Sequence, residues 1–194
     1  MTTVHCEGSA RRFITMVLAM VLAMVLSMPV LAQKPLGIGR AATLQDIAKI
    51  DIDVRPDGKG LPEGKGTAAE GAKIYAAKCA SCHGANGQGG SADRLVDRES
   101  GKNWDFATNP KLVKTVGNYW PYATTVYDYV HRAMPLTAPG TLTPDETYAV
   151  VAWLLAENEI IPRDAEMNAK TLPAVKMPAA GRFVADDRAG KTVK

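Results

Sequence analysis

The chain has 194 residues and a net charge of +3, and 46% of its residues are hydrophobic while 22% are charged. This composition is typical of a globular protein and excludes a largely disordered chain. The balanced charge, without a basic run, argues against nucleic-acid binding, and three cysteines are too few for a disulfide framework. The function therefore has to be sought in a local motif.

The first 32 residues have the pattern of a secretory signal peptide. Arg11 and Arg12 precede the apolar stretch 13–28, and Pro29 follows it before the small residue Ala32. We predict cleavage after Ala32 and export to the periplasm. The alternative is an uncleaved membrane anchor, although the apolar stretch is short for a bilayer span. Cleavage removes Cys6 and leaves two cysteines.

Two segments rich in glycine or proline flank the central part of the chain. Residues 33–66 predict an extended N-terminal arm with one short helix near 43–50, and residues 162–194 predict an extended C-terminal tail. Isolated apolar residues on such segments suit docking on another protein, and the alternative is that they pack over their own domain. These residues are Ile38, Leu44, Ile47, Ile50, Ile52 and Val54 in the arm, and Leu172, Val175, Met177 and Phe183 in the tail.

Residues 67–161 carry the helical patterns. Thr67 and Glu70 form a capping box that starts a helix running to about Cys79, and Thr143 and Glu146 start another. A third helix is predicted from about 123 to 132, ended by Pro135. Glycine on the first helix and alanines on the last permit close approach, so we expect these two helices to cross. The small residues are Gly71, Ala149, Ala152 and Ala156.

The motif that carries chemistry is Cys79-Ala80-Ser81-Cys82-His83. A C-x-x-C-H sequence indicates covalent attachment of c-type haem, in which two thiols bind the porphyrin edge and the histidine binds the iron. A thioredoxin-like pair needs no adjacent histidine and expects a βαβ pattern, which is missing here. A zinc site would need more ligands than His131 can supply. Glycines at 84, 87, 89 and 90 would let the chain turn closely beside the haem.

The second axial ligand of such a haem is commonly methionine. Met134 is the favoured candidate because it follows a predicted helix and precedes the stiffening Pro135. Met167 and Met177 lie in the tail, where ordinary packing is the better interpretation. His131 would give a bis-histidine haem instead, although a lone histidine on a helix more often lies at the surface or contacts a propionate.

Six aromatic residues are predicted to crowd the middle of the core: Trp104, Tyr119, Trp120, Tyr122, Tyr127 and Tyr129. Trp120 is a candidate for cofactor binding through a hydrogen bond to a haem propionate, and packing against the porphyrin edge is the alternative. The acidic residues Asp105, Asp128 and Glu146 form no recognisable acid–base pair, so we assign no catalytic residues.

The helix with Gly71 and Tyr75, the haem-attachment motif, the loop at 132–135 and the last helix with Trp153 resemble class I cytochromes c over residues 67–161. The resemblance implies an all-α class I cytochrome c fold with extended N- and C-terminal arms. Four further segments resemble the cytochrome subunit of bacterial sulfite or sulfane dehydrogenases of the sulfur-oxidation type. They are Ile38–Thr43, Asp51–Gly58, Val116–Thr125 and Ala169–Pro178.

The second resemblance implies that Cys79 and Cys82 carry one covalent haem c, with His83 and Met134 as its axial ligands. It also implies that a separate molybdenum-cofactor subunit donates electrons, and that the arm and the tail contact this partner. Some members of that family carry a second haem domain, whereas this sequence has one C-x-x-C-H, so the downstream electron acceptor would be another protein.

These observations predict a periplasmic electron-transfer protein with one haem, not an enzyme in its own right. One alternative is a general soluble shuttle for another periplasmic dehydrogenase. A second alternative, from a different class, is a haem enzyme or sensor with an open coordination position on its iron.

Overall fold

The computed structural model describes residues 12, 14–21, 37–97, 104–106 and 108–184. The chain divides into two compact units, residues 1–43 and 44–194. In the first unit, residues 14–21 are helical, and most of the predicted signal segment 1–32 lies outside the described residues. Within the described part, no helix has the length and apolar character that crossing a membrane requires.

The second unit contains five α-helices among its described residues. They are α1 (Leu44–Ala48), α2 (Ala68–Lys78), α3 (Ala80–His83), α4 (Ala123–Ala133) and α5 (Pro144–Glu157). Two short strands, β1 (Lys65–Thr67) and β2 (Glu166–Asn168), pair antiparallel, with Gly66 opposite Met167. Single 3-10 turns follow at Leu172–Ala174 and Ala180–Arg182. The predominance of helices confirms the predicted fold class.

Both long helices begin with the predicted capping boxes. The Thr67 hydroxyl accepts from the Glu70 N–H, and the Glu70 carboxylate accepts the Thr67 N–H at 2.8 Å. Thr143 and Glu146 repeat this arrangement ahead of α5. Each box satisfies backbone donors that a helix start leaves without intrahelical partners.

The predicted crossing of α2 and α5 is confirmed. A Cβ on Gly71 would lie 1.9 Å from the carbonyl oxygen of Ala149, so only glycine allows this approach. Above the crossing, the Tyr75 and Trp153 rings stack with centroids 3.8 Å apart and planes 27° apart. From Thr147 to Ala156 every residue of α5 is buried, so this helix forms the centre of the core.

The segment 53–67, here called the strap, is bonded to α4 and α5. The hydroxyl of Thr124 donates to the carbonyl of Pro56 at 3.0 Å, and the phenol of Tyr148 donates to that of Pro62 at 2.9 Å. Asp145 accepts the N–H of Lys65 at 2.8 Å. The end of the predicted arm is therefore part of the domain.

The tail also packs on its own domain. Leu172 is fully buried and Met177 is 5% exposed, both within the main core. Val175 packs partly buried against the same core. The expectation that Leu172 and Met177 serve a partner is therefore wrong, because both belong to the hydrophobic core of this chain, as the alternative interpretation held. The pairing of β1 with β2 draws the tail onto the domain.

Candidate haem site

The Cys79–His83 motif forms one helical turn of its own. Helix α2 ends at Cys79, whose backbone (φ −124°, ψ −36°) breaks the helical path, and α3 begins directly after it. The N–H groups of Cys82 and His83 both donate to the Cys79 carbonyl, at 3.2 and 3.0 Å. The two cysteines are free, Cys79 half-buried and Cys82 exposed. Burial raises the pKa of the Cys79 thiol, which favours its neutral form.

His83 is oriented by a hydrogen bond to the main chain. Its Nδ1 lies 2.7 Å from the carbonyl oxygen of Asp93. A carbonyl oxygen can only accept, so Nδ1 donates the proton of this bond, and in the neutral ring the lone pair is on Nε2. A histidine that ligates a metal is typically fixed in this way through its other ring nitrogen. The geometry therefore leaves Nε2 of His83 available to bind iron.

The glycine-rich loop after the motif turns so tightly that two of its positions have no room for a side chain. Gly87 has φ +72°, and a Cβ there would lie 2.4 Å from the Val96 side chain. A Cβ on Gly90 would lie 2.7 Å from the Cys82 carbonyl oxygen. The phenol of Tyr75 donates to the Gly84 carbonyl at 2.9 Å and fixes the start of the loop to α2.

Asn158, just beyond α5, holds the far end of this loop. Its Oδ1 accepts the N–H of Asp97 at 2.9 Å, and its Nδ2 donates to the carbonyls of Leu95 and Leu154 at 3.2 and 2.8 Å. Asn158 is buried. Neither the role of Asn158 nor that of the Asp93 carbonyl was predicted from the sequence. The position of Asn158, a polar residue directly after an apolar helix, is a weak sequence signal for its role. No sequence signal identifies a backbone carbonyl such as that of Asp93.

Met134 lies where α4 ends. Its N–H donates to the Val130 carbonyl at 3.1 Å, and its extended backbone (φ −122°, ψ 149°) leads into Pro135. The predicted helix end is thus confirmed. The Met134 side chain is half-buried and packs against the same hydrophobic core as Cys79 and Ala80. The structure therefore brings the methionine and the attachment motif to one core, although ligation by Met134 stays a prediction.

The other candidate ligands have different surroundings. Met167 and Met177 are 4% and 5% exposed and belong to the core, which confirms that they serve packing. The His131 ring packs against Tyr127 with centroids 5.7 Å apart, and its Nδ1 is shielded from solvent.

The prediction that all six aromatic residues crowd the core is only partly correct. Tyr127 is fully buried, whereas Tyr122, which directly precedes α4, and Tyr129, within α4, are both exposed. Trp104 and Tyr119 form a separate cluster with Phe106 and with Phe183 of the tail.

Trp120, the predicted propionate contact, is half-buried beside the core. Its indole N–H donates to the Thr125 hydroxyl at 2.8 Å, and its ring lies edge-on to Tyr129 with centroids 5.7 Å apart. Its contact with a haem propionate stays a prediction.

One ion pair lies next to the motif. The Lys78 ammonium, one residue before Cys79, is 2.8 Å from the Glu146 carboxylate. Hydrogen bonds from Lys78 and from the Thr143 N–H lower the pKa of Glu146. Glu146 thus joins the end of α2 to the start of α5.

An open depression of about 650 Å³ at Ala156–Arg163 is lined by none of the motif residues.

The residues present fit a covalently attached haem. Two free thiols lie on one helical turn, His83 presents Nε2, and a thioether lies at the same core. No group of three His, Cys, Asp or Glu side chains in the described part of the chain is placed to bind a metal ion by itself.

Comparisons with known proteins agree with this site. The family model for cytochrome c matches residues 68–157. A chain of the crystal structure titled sulfane dehydrogenase SoxCD from Paracoccus pantotrophus is 42% identical, with a TM-score of 0.68. The match covers 79% of this chain and 74% of that chain. No curated protein matches. The cofactor is a covalently bound c-type haem, and the chain belongs to the class I cytochromes c, close to those of sulfur oxidation.

Proposed function

We propose that this chain is a periplasmic cytochrome with one haem that accepts electrons from a molybdenum-containing sulfite or sulfane dehydrogenase subunit and passes them to a downstream respiratory acceptor. The observation that carries the proposal is the 42% identity, over 79% of the chain, to a chain of SoxCD. This likeness extends beyond residues 68–157, which the general cytochrome c model matches. It therefore includes flanking segments that a general electron carrier would not need.

A c-type haem with one histidine and one methionine ligand supplies a one-electron couple of raised reduction potential. The proposal assigns these two ligands to His83, whose ring is hydrogen-bonded to the Asp93 carbonyl, and to Met134, whose backbone follows the end of α4. Oxidation of sulfite to sulfate, with water as the oxygen source, releases two electrons. A chain with one haem accepts them singly, so each substrate molecule requires two cycles of reduction and reoxidation.

The segment 44–52, here called the docking arm, is proposed to bind the dehydrogenase subunit. Leu44 is 82% exposed and Ile50 is 78% exposed, while Ile47 and Ile52 are exposed to a lesser degree. Directly after this segment, Val54 is buried and the strap begins. The docking arm is therefore a short apolar segment anchored at one end to the domain. Such a segment gains little stability from its own fold but can fill grooves on a partner.

The experiment is purification of the native complex followed by identification of the copurifying subunit. A molybdenum-containing subunit should be present in equal amount. In the variant Leu44→Ser/Ile50→Ser, affinity for that subunit should fall at least about tenfold. Burial of each large apolar side chain at the interface contributes about 1.5–3 kcal/mol of binding free energy, and serine removes this contribution. The haem spectrum should not change.

Val113→Ser is the matched control, because Val113 is also an exposed apolar residue, 44% accessible, but lies outside the docking arm. Its affinity should equal that of the native chain. If the arm variant and the control bind the dehydrogenase with the same affinity as the native chain, the docking arm is not the binding element. If no molybdenum protein copurifies, the proposed donor is wrong.

A further inference from the structure

Asp128 joins the strap to the helix that leads to Met134. Its Oδ1 accepts the N–H of Val54, 74 residues away in sequence, at 2.8 Å. The same oxygen accepts the Nε–H of Arg132 at 2.9 Å, and a second Arg132 nitrogen bonds Oδ2. The Asp128 side chain is 13% exposed and Val54 is 4% exposed, whereas the Arg132 side chain is 47% exposed. The bond to Val54 is therefore shielded from water, while the pair with Arg132 remains open to it.

These bonds fix the last turns of α4. Hydrogen bonds that involve a charged group are about twice as strong as neutral ones, and shielding from water strengthens the bond between Asp128 and Val54 further. Arg132 lies two residues before Met134, and its side chain is folded back along the helix toward Asp128. Met134 in turn is bonded through its N–H to Val130, within the same turns. The direction in which the Met134 side chain leaves the helix therefore depends on this junction.

We propose that Asp128 is a positioning residue for Met134: by tying the end of α4 to Val54 and Arg132, it keeps the thioether where it can bind the haem iron. The proposal rests on the ligation by Met134 described above. A second anchor of the strap offers a comparison, because the Thr124 hydroxyl donates to the Pro56 carbonyl at the first turn of the same helix. Loss of the bond between Thr124 and Pro56 loosens the strap but leaves the contacts of the last turns of α4 in place.

The test is imidazole binding to the oxidised, full-length holoprotein, followed by loss of the sulfur-to-iron charge-transfer band. Imidazole competes with Met134 for iron, so its affinity reports how firmly the thioether is placed. Asp128→Ala should raise the imidazole affinity about tenfold, equivalent to about 1.4 kcal/mol. Thr124→Val should stay within about twofold of the native protein. The free energy of unfolding, measured in parallel, shows whether the two variants are equally destabilised.

An unchanged imidazole affinity in Asp128→Ala would overturn the proposal, and so would an equal rise in both variants, which would show a general effect of the strap. If Asp128→Ala yields no holoprotein, Asp128→Asn replaces it, because asparagine keeps an oxygen for Val54 but loses the charge that pairs with Arg132. Its affinity should rise about threefold, and no rise would also overturn the proposal. Persistence of the band in Met134→Ala would instead show that the ligation itself was misassigned.

Discussion

Replacing Gly71 with alanine tests the helix crossing on which the site is built. The new Cβ would lie 1.9 Å from the Ala149 carbonyl oxygen and 2.8 Å from the Cβ of Trp153. Contacts under 3.0 Å are essentially never seen for real Cβ atoms, so α2 and α5 would have to separate by about 1 Å. The stacked Tyr75 and Trp153 rings lie on the same two helices, so their stacking geometry would be disturbed.

The expected net loss is about 2 kcal/mol in the free energy of unfolding. Overpacking of a close contact costs about 1–3 kcal/mol, and disturbing an aromatic pair costs at most about 0.5–1.5 kcal/mol. Alanine recovers about 1 kcal/mol because it is the better helix former. Urea unfolding of the holoprotein, followed by far-UV circular dichroism, measures the difference at constant m-value.

Gly181→Ala is the control for this substitution. No heavy atom lies within 4 Å of a Cβ built on Gly181, and its φ is not positive. Its free energy of unfolding should stay within about 0.5 kcal/mol of the native value. If Gly71→Ala is as stable as the native protein, the two helices do not approach as closely as described, and the reasoning fails.

Three further outcomes are expected. Met134→Ala should lose the sulfur-to-iron charge-transfer band and lower the reduction potential, whereas His131→Ala should keep both; the reverse pattern would make His131 the ligand. Burial opposes ionisation of Asp128, but hydrogen bonds from Arg132 and Val54 lower its pKa overall, so its stabilising effect is present above the unfolded-state pKa and is lost as pH falls through the folded-state pKa. The stability difference between the native protein and Asp128→Asn should therefore shrink from pH 6 to about pH 3 in urea titrations, and a constant difference would contradict this. Intact-mass spectrometry of the exported protein should give a chain starting at Gln33 plus one haem, and retention of residues 13–28 would show an anchored form.

The parts of the fold predicted from sequence are those decided by neighbouring residues. The capping boxes at Thr67 and Thr143 need only a hydroxyl and a glutamate three residues apart. The end of α4 follows from the restriction that Pro135 places on Met134. The crossing of α2 and α5 was predictable because Gly71 and the alanines are the small residues that close helix packing requires. The haem-attachment motif could be recognised because the spacing of its two cysteines and its histidine is itself the signature of haem attachment.

The parts that sequence analysis missed depend on residues far apart in the chain. Strands β1 and β2 have three residues each, too few for a recognisable alternation, and they pair across about 100 residues. That pairing decides whether Leu172 and Met177 meet a partner or this chain's own core. The orientation of His83 likewise depends on a carbonyl ten residues away, and any residue type could have supplied it.

The most direct test of the proposed function is reduction of the haem by substrate in the native complex. The complex is kept anaerobic, sulfite or a sulfane-sulfur substrate is added, and the absorbance of the ferrous haem is followed. We expect the haem to be reduced within one turnover of the dehydrogenase, and substrate in excess to reduce all of it. The proposal would be contradicted if the haem stayed oxidised while the same complex turned over with an artificial electron acceptor and dithionite still reduced the haem.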